Sequence, residues 1–172
     1  EHRYTGQLVM DASYMLIVPH YCPETPISPS REHPIICYSF DKFKKPCYFE
    51  PNVLLDVDEV YEKKAAAIGM HESQLFEWLP WTMKMEDQIP PEYDDKTRME
   101  LVEMLVIWHY SDLISNFRKL WREGYPDKKV KKGEAFEICE YGRQPSKEDL
   151  KHLFPEAYIP NQRKLKKFMK KL

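Results

Sequence analysis

The chain has 172 residues, 42% hydrophobic, 31% charged and 13% aromatic, which is enough for one soluble globular domain and excludes a disordered polymer. A formal net charge of -2 gives no global attraction to nucleic acid, so any such case has to come from local clusters. The four cysteines, Cys22, Cys37, Cys47 and Cys139, contain no C-x-x-C pair, which argues against a zinc knuckle or a dense disulfide framework. No apolar run reaches the ~18 residues of a membrane span, and nothing at the start has the charged-then-apolar order of a secretion signal.

In chain order, Leu8, Ala12 and Met15 fall at helical spacing and predict a helix over residues 3–17 that ends before Pro19. Five prolines (Pro19, Pro23, Pro26, Pro29 and Pro34) then make residues 19–34 a long loop, of a length that is often functional. IICYSF, residues 35–40, and VLLDV, residues 53–57, have the length and composition of buried strands. Asp56 and Asp58 offer N-caps to a helix over residues 58–79 with Tyr61, Ala65, Ile68, Leu75, Phe76 and Leu79 on its apolar face, stopped by Pro80.

After a loop with Pro90 and Pro91, a long helix is expected over residues 96–123, closed by Gly124 and Pro126. AFEICE, residues 135–140, alternates as a strand, and a short helix is entered at Ser146. RKLKKFMKKL at the end places Leu165, Phe168, Met169 and Leu172 on one stripe of a basic amphipathic helix over residues 161–172. Such a helix either packs its apolar edge on its own domain or lies on an anionic membrane surface; the first reading is favoured. A second basic cluster runs from Arg118 to Lys132, but no aromatic platform for nucleic acid accompanies it. Strand followed by helix is the grammar of an α/β sheet, and one domain is expected.

Four strings carry more than this grammar. EHRYTG, REHPIICYSFDKF, PNVLLDVDEVYEKKAAAIGMHESQ and GEAFEICEYGRQPSKEDLKHLFP, in that order and over nearly the whole chain, resemble the later part of the PIG-L/LmbE-like N-deacetylases. The resemblance implies an α/β fold with a Rossmann-like, mostly parallel sheet, of which this chain supplies the later part. It also implies a Zn2+ cofactor and hydrolysis of an N-acetyl group on an amino-sugar conjugate such as an N-acetylglucosaminyl compound.

In that family an H-P-D-D motif supplies a His and an Asp to zinc and a second Asp as general base, and a later H-x-D-H motif supplies the third ligand. His2 matches that last ligand and Glu1 the acidic position beside it, with Glu in place of the usual Asp. The first His of the later motif and all of H-P-D-D are absent from these residues. Catalytic zinc takes three protein ligands and a water whose pKa it lowers toward ~7, and amide hydrolysis needs a carboxylate base. The chain is therefore expected to be a piece of a longer enzyme and to be inactive by itself.

The remaining candidates are weaker. His20 and Tyr21, in the proline-rich loop, are candidates to border a substrate cleft; an ordinary surface connection is the equal alternative. Asp41 and Lys42 follow the end of a strand, where open α/β sheets bind ligands. His71 and His109 fall on apolar helix faces and are read as hydrogen-bonded core residues. Expected partners are a small amino-sugar molecule and no nucleic acid, in a cytoplasmic setting. Two rivals stay open: a sugar-binding relative without catalysis, and a membrane-surface or partner-binding module using the tail helix.

Overall fold

The structure is a computed structural model that describes residues 2–27 and 29–170, with Ile107 and Trp108 described in their backbone only. Half of the chain is helical, and its strands form one small sheet. In chain order the elements are α1 (His2–Met15), β1 (Cys37–Ser39), β2 (Val53–Asp56), α2 (Tyr61–Gly69), α3 (Leu79–Met83), α4 (Asp95–Asn116), α5 (Arg118–Gly124), β3 (Gly133–Ile138), α6 (Lys147–Leu153) and α7 (Gln162–Met169). The sheet order is β1-β3-β2. β1 runs antiparallel to β3, with Cys37 opposite Ile138, Tyr38 opposite Glu137 and Ser39 opposite Phe136.

The expected mostly parallel Rossmann-like sheet is thus corrected to a small antiparallel one. Parallel neighbours need a crossover of a dozen or more residues, usually helical. Here the last strand in sequence inserts between the first two and pairs with β1 head to tail. Strand-then-helix grammar is local, whereas pairing partners are chosen over long sequence separations.

The chain packs as two compact units, one formed by residues up to Val53 together with those from Ala135 onward, the other by Leu54–Glu134. The second unit is helical. Tyr61, Ala65, Leu75, Phe76, Leu101, Val102, Leu105 and Tyr110 make its contiguous core, with Val102 and Leu113 fully buried. α4 begins where the Asp94 carboxylate accepts the Thr97 N–H at 2.8 Å, an N-cap that satisfies one of the first-turn donors. The helix expected over residues 96–123 is interrupted at buried Phe117 and resumes as α5.

The helix expected over residues 58–79 is also broken. A 3-10 turn (Asp58–Val60) and α2 are followed, after Met70 and His71, by a π turn (Ser73–Trp78) that leads into α3. Pro80 does not stop this run. It lies in the first turn of α3, where a missing N–H costs nothing, and the stop falls at Lys84, whose φ of 57° makes a left-handed cap. The break turns His71 out of the apolar stripe, so His71 is exposed rather than a core residue, while His109 is half-buried.

Asp56 accepts the N–H of Asp58, which opens the 3-10 turn, at 3.0 Å, but neither Asp56 nor Asp58 caps α2. The Asp58 carboxylate instead accepts the backbone N–H of Lys131 at 3.1 Å and of Lys132 at 2.6 Å. Lys128 pairs with Asp56 at 2.5 Å, and Lys132 with Glu103 at 2.5 Å, its ammonium 4.3 Å from the Tyr61 ring. Part of the Arg118 to Lys132 basic cluster is therefore bound internally. Desolvation of an unpaired charge is costly, and these pairings with carboxylate and aromatic faces offset it.

In the first unit Phe40 and Phe49 meet edge to face at 5.5 Å, and Ala135, Cys139, Leu150 and Leu165 are buried. α6 starts with a capping box, Ser146 accepting from the Asp149 N–H and Asp149 accepting from the Ser146 N–H. α7 starts at Asn161 and buries Leu165 fully, with Phe168 and Met169 half-buried and Lys166, Lys167 and Lys170 exposed. That geometry favours the self-packing reading of the tail; Leu172 lies outside the described residues. α1 differs from every other long helix. Tyr4, Leu8, Val9 and Tyr14 are more than half exposed, and Ser13 is its only buried residue.

Candidate functional site

The site residues named from the sequence all belong to the first unit. His2 stands in the first turn of α1 with its imidazole exposed; Glu1 lies outside the described residues. Along α1, Met10, Ser13 and Tyr14 tie the helix down: the Tyr38 hydroxyl donates to the Met10 sulfur at 3.3 Å, the His33 ring is 3.3 Å from the Ser13 carbonyl, and His33 stacks on Tyr14 at 5.7 Å. The opposite side, with Leu8 and Ala12, is free to form the wall of a groove.

That groove, about 960 Å³ in volume, is closed by the loop that follows the helix, and both His20 and Tyr21 line it. The loop doubles back through local hydrogen bonds, Val18 N–H to Met15 C=O at 3.1 Å and Thr25 N–H to Cys22 C=O at 2.9 Å. His20 sits at the bend with a φ of 67°, a left-handed conformation that few non-glycine residues adopt. The lining is mainly aliphatic, with Asp11 and Glu32 as acidic exceptions. Its size falls within the range of small-molecule sites. His2 is not among the lining residues, nor are Asp41 and Lys42. The Asp41 carboxylate accepts the Phe43 N–H at 2.8 Å, which gives it a turn-forming role.

A second cavity, of about 870 Å³, has many polar side chains in its lining and contains none of the site residues proposed from the sequence. Tyr38, Cys139 and Glu137 shape its chemistry. The Tyr38 hydroxyl and the Cys139 thiol are 3.0 Å apart; this hydrogen bond, reinforced by burial, pushes the Tyr38 pKa up to about 12 and keeps the phenol protonated. Burial raises the Glu137 pKa, opposed by the Glu50 N–H that donates to its carboxylate at 2.6 Å. Burial also raises the Cys37 thiol, so Cys37 is no ready nucleophile. The signal for this cavity in the sequence was slight. Glu137 lies two residues from Cys139, and alternation puts both on one side, but only the β1–β3 register brings Tyr38 to them.

Among the described residues no group of three His, Cys, Asp or Glu side chains is placed to hold a metal ion. A catalytic zinc takes three protein ligands, and His2 stands alone and exposed in the first turn of α1. Among the described residues no helix is long and apolar enough to cross a membrane. No protein-family model, curated protein or solved structure matches the chain.

Proposed function

We propose that the chain is the later part of a zinc-dependent N-deacetylase acting on an amino-sugar conjugate, with His2 as one zinc ligand. The observation that carries this reading is the order of the four strings, whose first member sets a histidine in the opening turn of α1. Two features of the structure support it. The His2 imidazole is exposed and free to reach a metal. The same helix walls the groove that His20 and Tyr21 line, which is large enough for a sugar with part of its aglycone.

Bound zinc would supply Lewis acidity and an acidified water. In this reading the chain's own share is narrower: His2 donates one imidazole nitrogen, and α1 with the following loop holds the substrate and keeps bulk water from its apolar part. The carboxylate that removes the water's proton would come from an upstream H-P-D-D motif. The exposed apolar side of α1 supports the same division, because a patch of this kind marks an interaction surface. We place the protein in the cytoplasm, where its four unpaired cysteines stay reduced.

Zinc content and N-deacetylation should be measured for the 172-residue chain and for the longer protein read from the same open frame. The longer form is expected to hold zinc and release acetate, and His2→Ala in it to lose both. The short chain is expected to do neither. Deacetylation by the short chain, or an upstream sequence without H-P-D-D, would overturn the reading.

A further inference from the structure

We propose that the cleft formed by the π turn and α3 is a second carbohydrate site, taking an amino-sugar ring in its ammonium form. The cleft, about 520 Å³ in volume, is lined by Ser73, Gln74, Glu77, Trp78 and Trp81. Trp78 and Trp81 are 53% and 67% exposed. Burying such side chains is normally favourable by ~2 kcal/mol each, so two indoles left in water three residues apart require an account.

The polar groups around them are equally unspent. Among the described residues, the hydroxyl of Ser73, the carboxamide of Gln74, the carboxylate of Glu77 and both indole N–H groups have no hydrogen-bond or ion-pair partner in the protein. The neighbouring Glu72, by contrast, is paired with Arg98 at 2.7 Å. The widened turn gathers these groups: the Leu79 N–H reaches back to the Gln74 carbonyl, five residues away, and one-turn π bulges of this kind recur at functional sites.

Their chemistry selects the ligand. The C–H face of a pyranose stacks on an indole, and the hydroxyl, carboxamide and N–H groups match its ring hydroxyls. Glu77 adds an uncompensated negative charge beside two aromatic faces, which together favour an ammonium group. A second copy of this chain is a poorer occupant, since a two-fold contact through the indoles would bring two Glu77 carboxylates together. For the identity of the sugar the proposal rests on the amino-sugar reading above; a surface that retains the deacetylated product chain is the role that follows.

The test is titration of the 172-residue chain with a glucosamine oligomer, its fully N-acetylated counterpart and a glucose oligomer of equal length, followed by calorimetry and by the NMR signals of the indole N–H groups. The glucosamine oligomer is expected to bind best. Trp78→Ala and Trp81→Ala should each weaken it about tenfold, and Glu77→Gln, an exposed change of the same shape, should erase the preference for the amine. Equal affinity for all three oligomers, no binding of the glucosamine oligomer, undiminished binding by folded Trp variants, or self-association that these variants abolish would each overturn the site. Such a failure alongside zinc-dependent deacetylation by the longer protein would remove this site alone and leave the deacetylase reading intact.

Discussion

The two units solve the problem of apolar surface in different ways. Between Leu54 and Glu134, helices bury a continuous set of side chains around Val102, Leu105 and Tyr110, and the charged groups among them are paired: Lys132 with Glu103, Lys128 with Asp56, Lys64 with Glu134. The other unit keeps smaller buried clusters around Phe40, Phe49, Leu150 and Leu165, and leaves Tyr4, Leu8, Val9 and Tyr14 of its first helix in water. It also holds cavities of about 870 and 960 Å³. The helical unit is stable by its contiguous core and leaves only local patches such as Trp78 and Trp81 in water, whereas the other unit opens one side of a long helix and two cavities to ligands or to other protein.

The sharpest way to break this contrast is a pair of leucine truncations. Leu113→Ala, at a fully buried position in α4, should destabilise by ~2–5 kcal/mol. Leu8→Ala, at a position 67% exposed, should change stability by less than ~0.5 kcal/mol. Urea unfolding of both variants decides the matter; comparable losses would mean that α1 is covered and the contrast false.

A smaller effect sharpens the account of the helical unit. A Cβ on Gly133 would overlap the buried Trp121 ring, with Cζ2 only 2.7 Å away. Gly133→Ala is therefore expected to cost ~1–3 kcal/mol by overpacking, read as a lower midpoint in the same denaturation experiment. Full stability in that variant would show that the indole has room to move.

The smallest effect concerns the polar cavity and depends on pH. Burial raises the Glu137 pKa above its ordinary value of 4.5, so between the unfolded and folded values the native state holds more protons than the unfolded chain. Stability then falls as pH rises through that window. Glu137→Gln still accepts the Glu50 N–H and carries no charge to desolvate. Thermal unfolding should therefore show the variant gaining on the wild type from below the ordinary glutamate range to neutral pH. An unchanged difference across that range would place Glu137 in water.

Much of the local structure is legible in the sequence, and the reasons are local too. Ser146 followed by Asp149 reads as a capping box because the donors it satisfies lie in the same turn. The stripe through Leu165 identifies α7, and the proline-rich stretch reads as a loop because proline lacks the N–H that helices and strands require. Pro80 was misread for a related reason. Proline stops a helix when it falls in a regular interior, and the π turn that ends at Trp78 sets Pro80 instead in the first turn of α3.

The candidate site divides in the same way. His2, His20 and Tyr21 came from motif and loop, and two of them line one groove; Tyr38, Glu137 and Cys139 are a hundred residues apart in part, and no local signal joins them. By itself the sequence determined where most helices, strands and loops fall, but not the breaks at Met70 and Phe117, since capping, periodicity and proline act within a few residues. Tertiary structure alone decided that β3 lies between β1 and β2 and runs antiparallel to β1, that Asp58 holds the Lys131 and Lys132 backbone rather than a helix start, and that α1 keeps its apolar side in water. Those outcomes depend on which distant surfaces meet, and the free energy of such contacts is not written in any one segment.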